Sequence, residues 1–171
     1  MKVAALLVVA ACSALGAAAA SAQDYPRLKA GLWELNRLSD RPNDKGMRMS
    51  MCLDQSVQKE MWDMGVGAMK GMCSKSDFRI SGGKGTGEFV CNMGGSTMHS
   101  RSVMTLTGDT AYRTEIDTTF DPPMGGMSKT HSTVESHYVG ACKPGQQPGD
   151  VTMPNGTTMN MRNMMGQPGG K

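Results

Sequence analysis

Methionine nearly equals leucine, isoleucine, valine and phenylalanine combined, and that balance limits what the chain can fold into. It holds 18 methionines, 17 of them after residue 22, where only 18 residues are Leu, Ile, Val or Phe. Over Gln23 to Lys171 that is about 12%, a share that marks disorder only when net charge is also high. Net charge is +3, from 18 basic and 15 acidic residues. The composition therefore predicts one small, Met-containing core that needs covalent support. It excludes a large α/β enzyme with a deep aliphatic core. So small a charge also gives no footprint for nucleic acid.

The first 22 residues read as a secretory signal peptide. Met1 and Lys2 form a short positive region, Val3 to Ala11 is unbroken apolar, and Ala20-Ser21-Ala22 is a small-residue cleavage site. Val9-Ala10-Ala11-Cys12 offers the alternative of a lipoprotein anchored at Cys12. No later run reaches the roughly 20 apolar residues of a transmembrane helix. The expected location is periplasmic or secreted.

Four cysteines remain beyond the leader, Cys52, Cys73, Cys91 and Cys142. An even number in a small exported chain reads as a disulfide framework. Three pairings are open, and the preferred one joins Cys52 to Cys73 and Cys91 to Cys142. The first would clip the ends of a helix and the second would tie a central strand to the last one. No CxxC spacing supports a redox or zinc motif.

Period-two alternation dominates the chain. Gly31 to Leu38 is strand-like, and Met47, Met49 and Met51 would share one face of the next strand. Asp54 is placed to cap a helix running to about Met72, with Val57, Met61, Met64, Ala68, Met69 and Met72 on one arc. Gly65, Gly67 and Gly71 weaken that helix, so a short or frayed one is expected. From Ser76 to Val139 short strands alternate with turn signals, and Asp121 to Met127 reads as a loop. The expected fold is mainly β: an antiparallel meander forming a curled sheet or small barrel with one short amphipathic helix. Residues 143–171 are rich in Met, Gly and Pro and read as a disordered tail. The expected divisions are signal peptide 1–22, linker 23–29, β-domain 30–142 and tail 143–171.

Gly31-Leu-Trp-Glu34, then Met51-Cys-Leu-Asp54, Cys73, Cys91 and a closing Gly140-Ala-Cys142 occur in an order and spacing that resemble the DUF3617 family of exported proteobacterial proteins. The resemblance covers roughly residues 30–142. It implies an exported domain of unknown function and carries no catalytic residues over to this chain.

The methionines are the main functional lead, because neutral thioethers select Cu(I) or Ag(I) over harder ions. Met124 and Met127, with His131 four residues on, form one candidate site in the expected loop. Met153, Met159, Met161, Met164 and Met165 of the tail form another. The strand and helix methionines read better as flexible core filler. His99, His131 and His137 show no paired metal-ligand spacing. No G-x-S-x-G or phosphate-loop motif occurs, and Ser81 to Gly87 reads as a hairpin turn. The carboxylates Glu115 and Asp117 share a strand face, as polar residues of any half-exposed sheet do. The expectation is a non-enzymatic module with no resident cofactor, holding an apolar ligand or partner, with Cu(I) or Ag(I) binding as the alternative.

Overall fold

The computed structural model describes residues 25–165. The expected signal peptide, Cys12 and the last six residues lie outside the described residues. Nine strands form one open antiparallel sheet: β1 (Gly31–Ser39), β2 (Met47–Leu53), β3 (Cys73–Ser81), β4 (Lys84–Met93), β5 (Ser96–Thr107), β6 (Ala111–Met124), β7 (Met127–Gly140), β8 (Asp150–Thr152) and β9 (Thr158–Asn160). Their spatial order is β3-β4-β5-β6-β7-β1-β2-β8-β9. The meander from β3 to β7 thus returns to the first hairpin, with β1 paired to both β7 and β2. The sheet curls without closing, which selects the curled sheet over the barrel.

The helix α1 (Gln55–Met72) carries the chain from β2 back to the far edge. Asp54 caps it by accepting from the Val57 N–H at 2.8 Å. It keeps its full 18 residues despite three glycines. Only its first turns are deeply packed: Val57 is fully buried, while Met64 and Met72 are 44% and 52% exposed.

Alternation sorts the sheet into two faces. Trp33, Met51, Leu53, Tyr112 and Tyr138 point to the helix side, and with Leu28, Val57 and Val151 they form the core. Trp33 is its centre, 2% exposed, with Tyr112 and Tyr138 each 6.2 Å away between ring centroids. The opposite face carries charge pairs strung across the strands: Lys75–Glu88, Arg113–Glu135 and Asp117–His131.

Several further expectations change. The disulfides are Cys52–Cys142 and Cys73–Cys91, not the preferred pairing. Cys73 and Cys91 lie opposite each other on β3 and β4. Leu32 separates Cys52 from the end of β7, since it pairs with both Cys52 and Gly140. Strand adjacency, invisible in the spacing, set the pairing. Next, Asp121 to Met127 is not a loop. β6 runs on to Met124 and turns through Gly125-Gly126 into β7.

The tail expected from residue 143 also departs from the structure over 150–160. There β8 pairs with β2 and β9 with β8, Val151 is 6% exposed, and Met153 and Met161 pack against the core. Gly149 N–H donates to the Cys52 carbonyl at 2.8 Å, and Arg162 reaches Glu60 of α1 at 2.7 Å. A composition rule that counts aliphatics misses apolar surface supplied by methionine. Similarly, the expected linker 23–29 is held down over its described part. Gln58, itself buried, accepts from Leu28 N–H and donates to the Leu28 carbonyl, at 2.8 and 2.9 Å.

Candidate functional site

The helix covers only part of the sheet's inner face, and the gap is a cleft. Its larger part, about 610 Å3, lies between α1 and the edge strands. Met61, Trp62, Gly65 and Met69 come from the helix, and Phe78, Ile80 and Phe89 from β3 and β4. A second part of about 260 Å3 continues toward the core along Leu28, Trp33, Met51, Met104 and Tyr112. Met61 and Trp62 line both parts, so the two are neighbours on either side of these helix side chains.

Local sequence builds these walls. Ser76, Phe78 and Ile80 alternate along β3 and so share the inner face. Phe78 lies across β4 because that strand has Gly87 opposite it and Gly85 diagonally across, opposite Ile80. A Cβ at Gly85 would meet the Phe78 ring at 2.9 Å, and one at Gly87 would meet the Phe89 ring at 2.8 Å. The glycines after Ser81 thus serve partly as a hairpin turn and partly as a floor for aromatic rings. Trp62 meets Phe78 edge-on at 4.8 Å. The polar lining is Ser76, Asp77, Arg79 and Ser102 in the larger part, and Tyr25, Gln58, Ser136 and Tyr112, whose phenol pKa burial raises, in the smaller. Such a surface can exclude water from an apolar molecule and orient it with a few hydroxyls.

The outer face is chemically different. His131 Nδ1 lies 2.8 Å from Asp117, the His131 main-chain N–H donates to the Asp40 carboxylate at 2.8 Å, and the Asp117 hydrogen bond raises the imidazole pKa. His99, Arg101 and Lys129 share this depression, and His137 approaches Glu34 at 3.5 Å. Glu115 pairs with Arg113. Among the described residues no group of three His, Cys, Asp or Glu is arranged to hold a metal ion.

The methionine candidates are dispersed. Met124 and Met127 face each other at the tip of β6 and β7. His131 lies four residues further along β7, about 13 Å away at the rise of a strand, and is engaged by Asp117. Met159 sits on β9, 37% exposed, and Met161 packs on the core. The side chains of Met164 and Met165 lie outside the described residues. The cleft draws on other residues: Met61 and Met69 of the helix set, Met51 of the strand trio, and the aromatics of β3 and β4. The period-two spacing of Phe78 and Ile80 was the available signal for the last group.

The motif residues near the core are structural. Gly31, at φ +140°, lies so close to Gly140 that a side chain would strike its carbonyl oxygen and the Tyr138 ring. Trp33 Nε1 donates to the Lys29 carbonyl at 2.8 Å, and Cys142 is bonded to Cys52. Glycine, tryptophan and cysteine together pin β1 between β2 and β7.

Residues 28–142 match the family described as Protein of unknown function (DUF3617), and the chain belongs to that family. No curated protein and no solved structure matches it.

Proposed function

We infer that this DUF3617 member is an exported, non-enzymatic binding module that holds an apolar ligand between α1 and the sheet. One observation carries the reading: two mainly apolar clefts, one against the edge strands and one against the Trp33 core, share Met61 and Trp62 of α1 as lining. The leader pattern and two disulfides support an oxidising compartment outside the cytosol. The four bonded cysteines offer no thiolate, and the chain has no nucleophile motif.

Gly65 provides a clean test. It lines the cleft, and a Cβ there meets nothing within 4 Å. Gly65→Leu should project a branched side chain into the cleft while raising helix stability by about 1 kcal/mol. Titration with the apolar fluorophore N-phenylnaphthylamine, followed also by Trp62 emission, should show saturable binding in the natural chain. Binding should be lost in the variant as its melting temperature rises. Unchanged affinity in Gly65→Leu would overturn the reading.

Soft-metal binding has one observation in its favour, the pairing of Met124 with Met127 across one hairpin. Anaerobic Cu(I) titration against a chromogenic competitor tests it. Uptake should fall with Met124→Leu and Met127→Leu together, or with Met159→Leu. Deleting residues 143–171 is a poor control, because it removes β8 and β9.

A further inference from the structure

The sheet has two ends, and they differ in kind. One ends on β9, three residues long and followed by the short α2 (Met161–Met165). The other ends on β3, nine residues whose outer edge pairs with no strand among the described residues. A row of free main-chain donors and acceptors is a template for another strand. β3 contains no proline, and its only register shift lies between Cys73 and Lys75.

The side chains of β3 indicate which strand. Asp77 and Arg79 flank Phe78 and lie on the outer face, 46% and 79% exposed. They pair with each other along the strand at 3.2 Å, two residues apart. Place a second β3 antiparallel, with Phe78 opposite the second copy's Phe78. Asp77 then stands directly opposite Arg79 of the other copy, and Arg79 opposite its Asp77. Directly opposed unlike charges stabilise antiparallel pairs, and like charges destabilise them. Shifting the centre by one residue in either direction puts Asp77 against Asp77 or Arg79 against Arg79. Centring on Ser76 would use the shifted Cys73/Lys75 region and compete for Lys75, which Glu88 already holds at 2.7 Å. The Phe78 register needs neither.

We propose that β3 is the interface of a two-fold homodimer, in which two sheets join edge to edge about Phe78 and Asp77 pairs with Arg79 across the axis in both directions. Such an interface is self-complementary, as two-fold symmetry requires. It uses the edge main-chain groups and the outer face of the same strand whose Phe78 and Ile80 line the cleft, and its test reads association rather than ligand binding.

Charge reversal tests both association and register. Sedimentation velocity on the whole protein, from micromolar to millimolar, should show a monomer–dimer equilibrium. Asp77→Arg alone and Arg79→Asp alone should each weaken it about tenfold, because each sets two like-charged pairs in opposition. The double variant, with both reversals, should restore it. Hydrogen exchange gives a second readout: β3 amides should gain protection with concentration in the natural chain and in the double variant, but not in the single ones. Circular dichroism and the mass of the two intact disulfides check folding of these exposed-site variants. A monomer throughout the range would overturn the proposal. So would a dimer indifferent to the single reversals, or a double variant no better than either single one.

Discussion

The two halves of the sheet spend the same scarce apolar residues differently. Around β1, β2, β7 and β8, the residues Trp33, Met51, Leu53, Val57 and Val151 are all buried. Around β3, β4 and the second half of α1, only glycines and Cys91 are buried to that degree, and the aromatics stay half-exposed. The first half is closed on itself and the second is left open. A chain with so few large aliphatics can complete one core; the remainder becomes cleft wall. The disulfides follow the same division. Cys52–Cys142 spans 90 residues and holds the core half together, while Cys73–Cys91 spans 18 and clips the open half.

That contrast predicts a hierarchy of effects. Replacing Cys52 and Cys142 by Ser should cost about 4.6 kcal/mol, against about 3.2 kcal/mol for Cys73 and Cys91, from loop length in the chain-entropy model. Denaturant melts of the two double variants check the order, and equal losses would dissolve the contrast. Trp33→Ala should cost about 3–5 kcal/mol, the range for truncating a buried large aromatic. Phe78→Ala should cost about 2 kcal/mol, since only part of its apolar area is withdrawn from water. Its effect on fluorophore binding should exceed that of Trp33→Ala when both are measured well below their melting temperatures. Gln58→Leu leaves the Leu28 N–H without its buried partner. About 1–3 kcal/mol should be lost, with faster hydrogen exchange at that amide.

The smallest effect is on the outer face. The hydrogen bond that His131 donates to Asp117, with the charges of Asp117, Glu115 and Asp40, raises the His131 pKa above its ordinary value. A raised histidine pKa contributes stability that is fully present below the unfolded value and lost as pH rises through the folded one. On this exposed pair the contribution is small. NMR titration should place the His131 pKa above the ordinary histidine value, and Asp117→Asn should bring it back down. No change in that variant would remove the ion pair from the account.

Period two made the strands legible. Ser76, Phe78 and Ile80 and the run from Thr110 to Phe120 have no other good reading. Asp54 was legible as a cap, because a carboxylate before an amphipathic stretch has one obvious use. The disulfide partners and the cleft were not legible. Both depend on which strands become neighbours, and the return of β7 to β1 brings together residues about a hundred positions apart. Residues 150–160 were misread because binary patterning treats methionine-rich, glycine-rich sequence as unable to pack. Met153 and Met161 pack once β2 offers them an edge and a core.

The sequence by itself determined the class of this protein: a small, mainly antiparallel β-domain with one capped helix, the family, and a core that relies on methionine and on cysteine pairs. Those properties follow from local rules of alternation, capping and composition. Only the tertiary structure decided where the core closes, where the sheet stays open and which cysteines meet. Each of these depends on the lateral order of strands, and hydrogen-bonded neighbours in a sheet carry no local mark of one another in the chain.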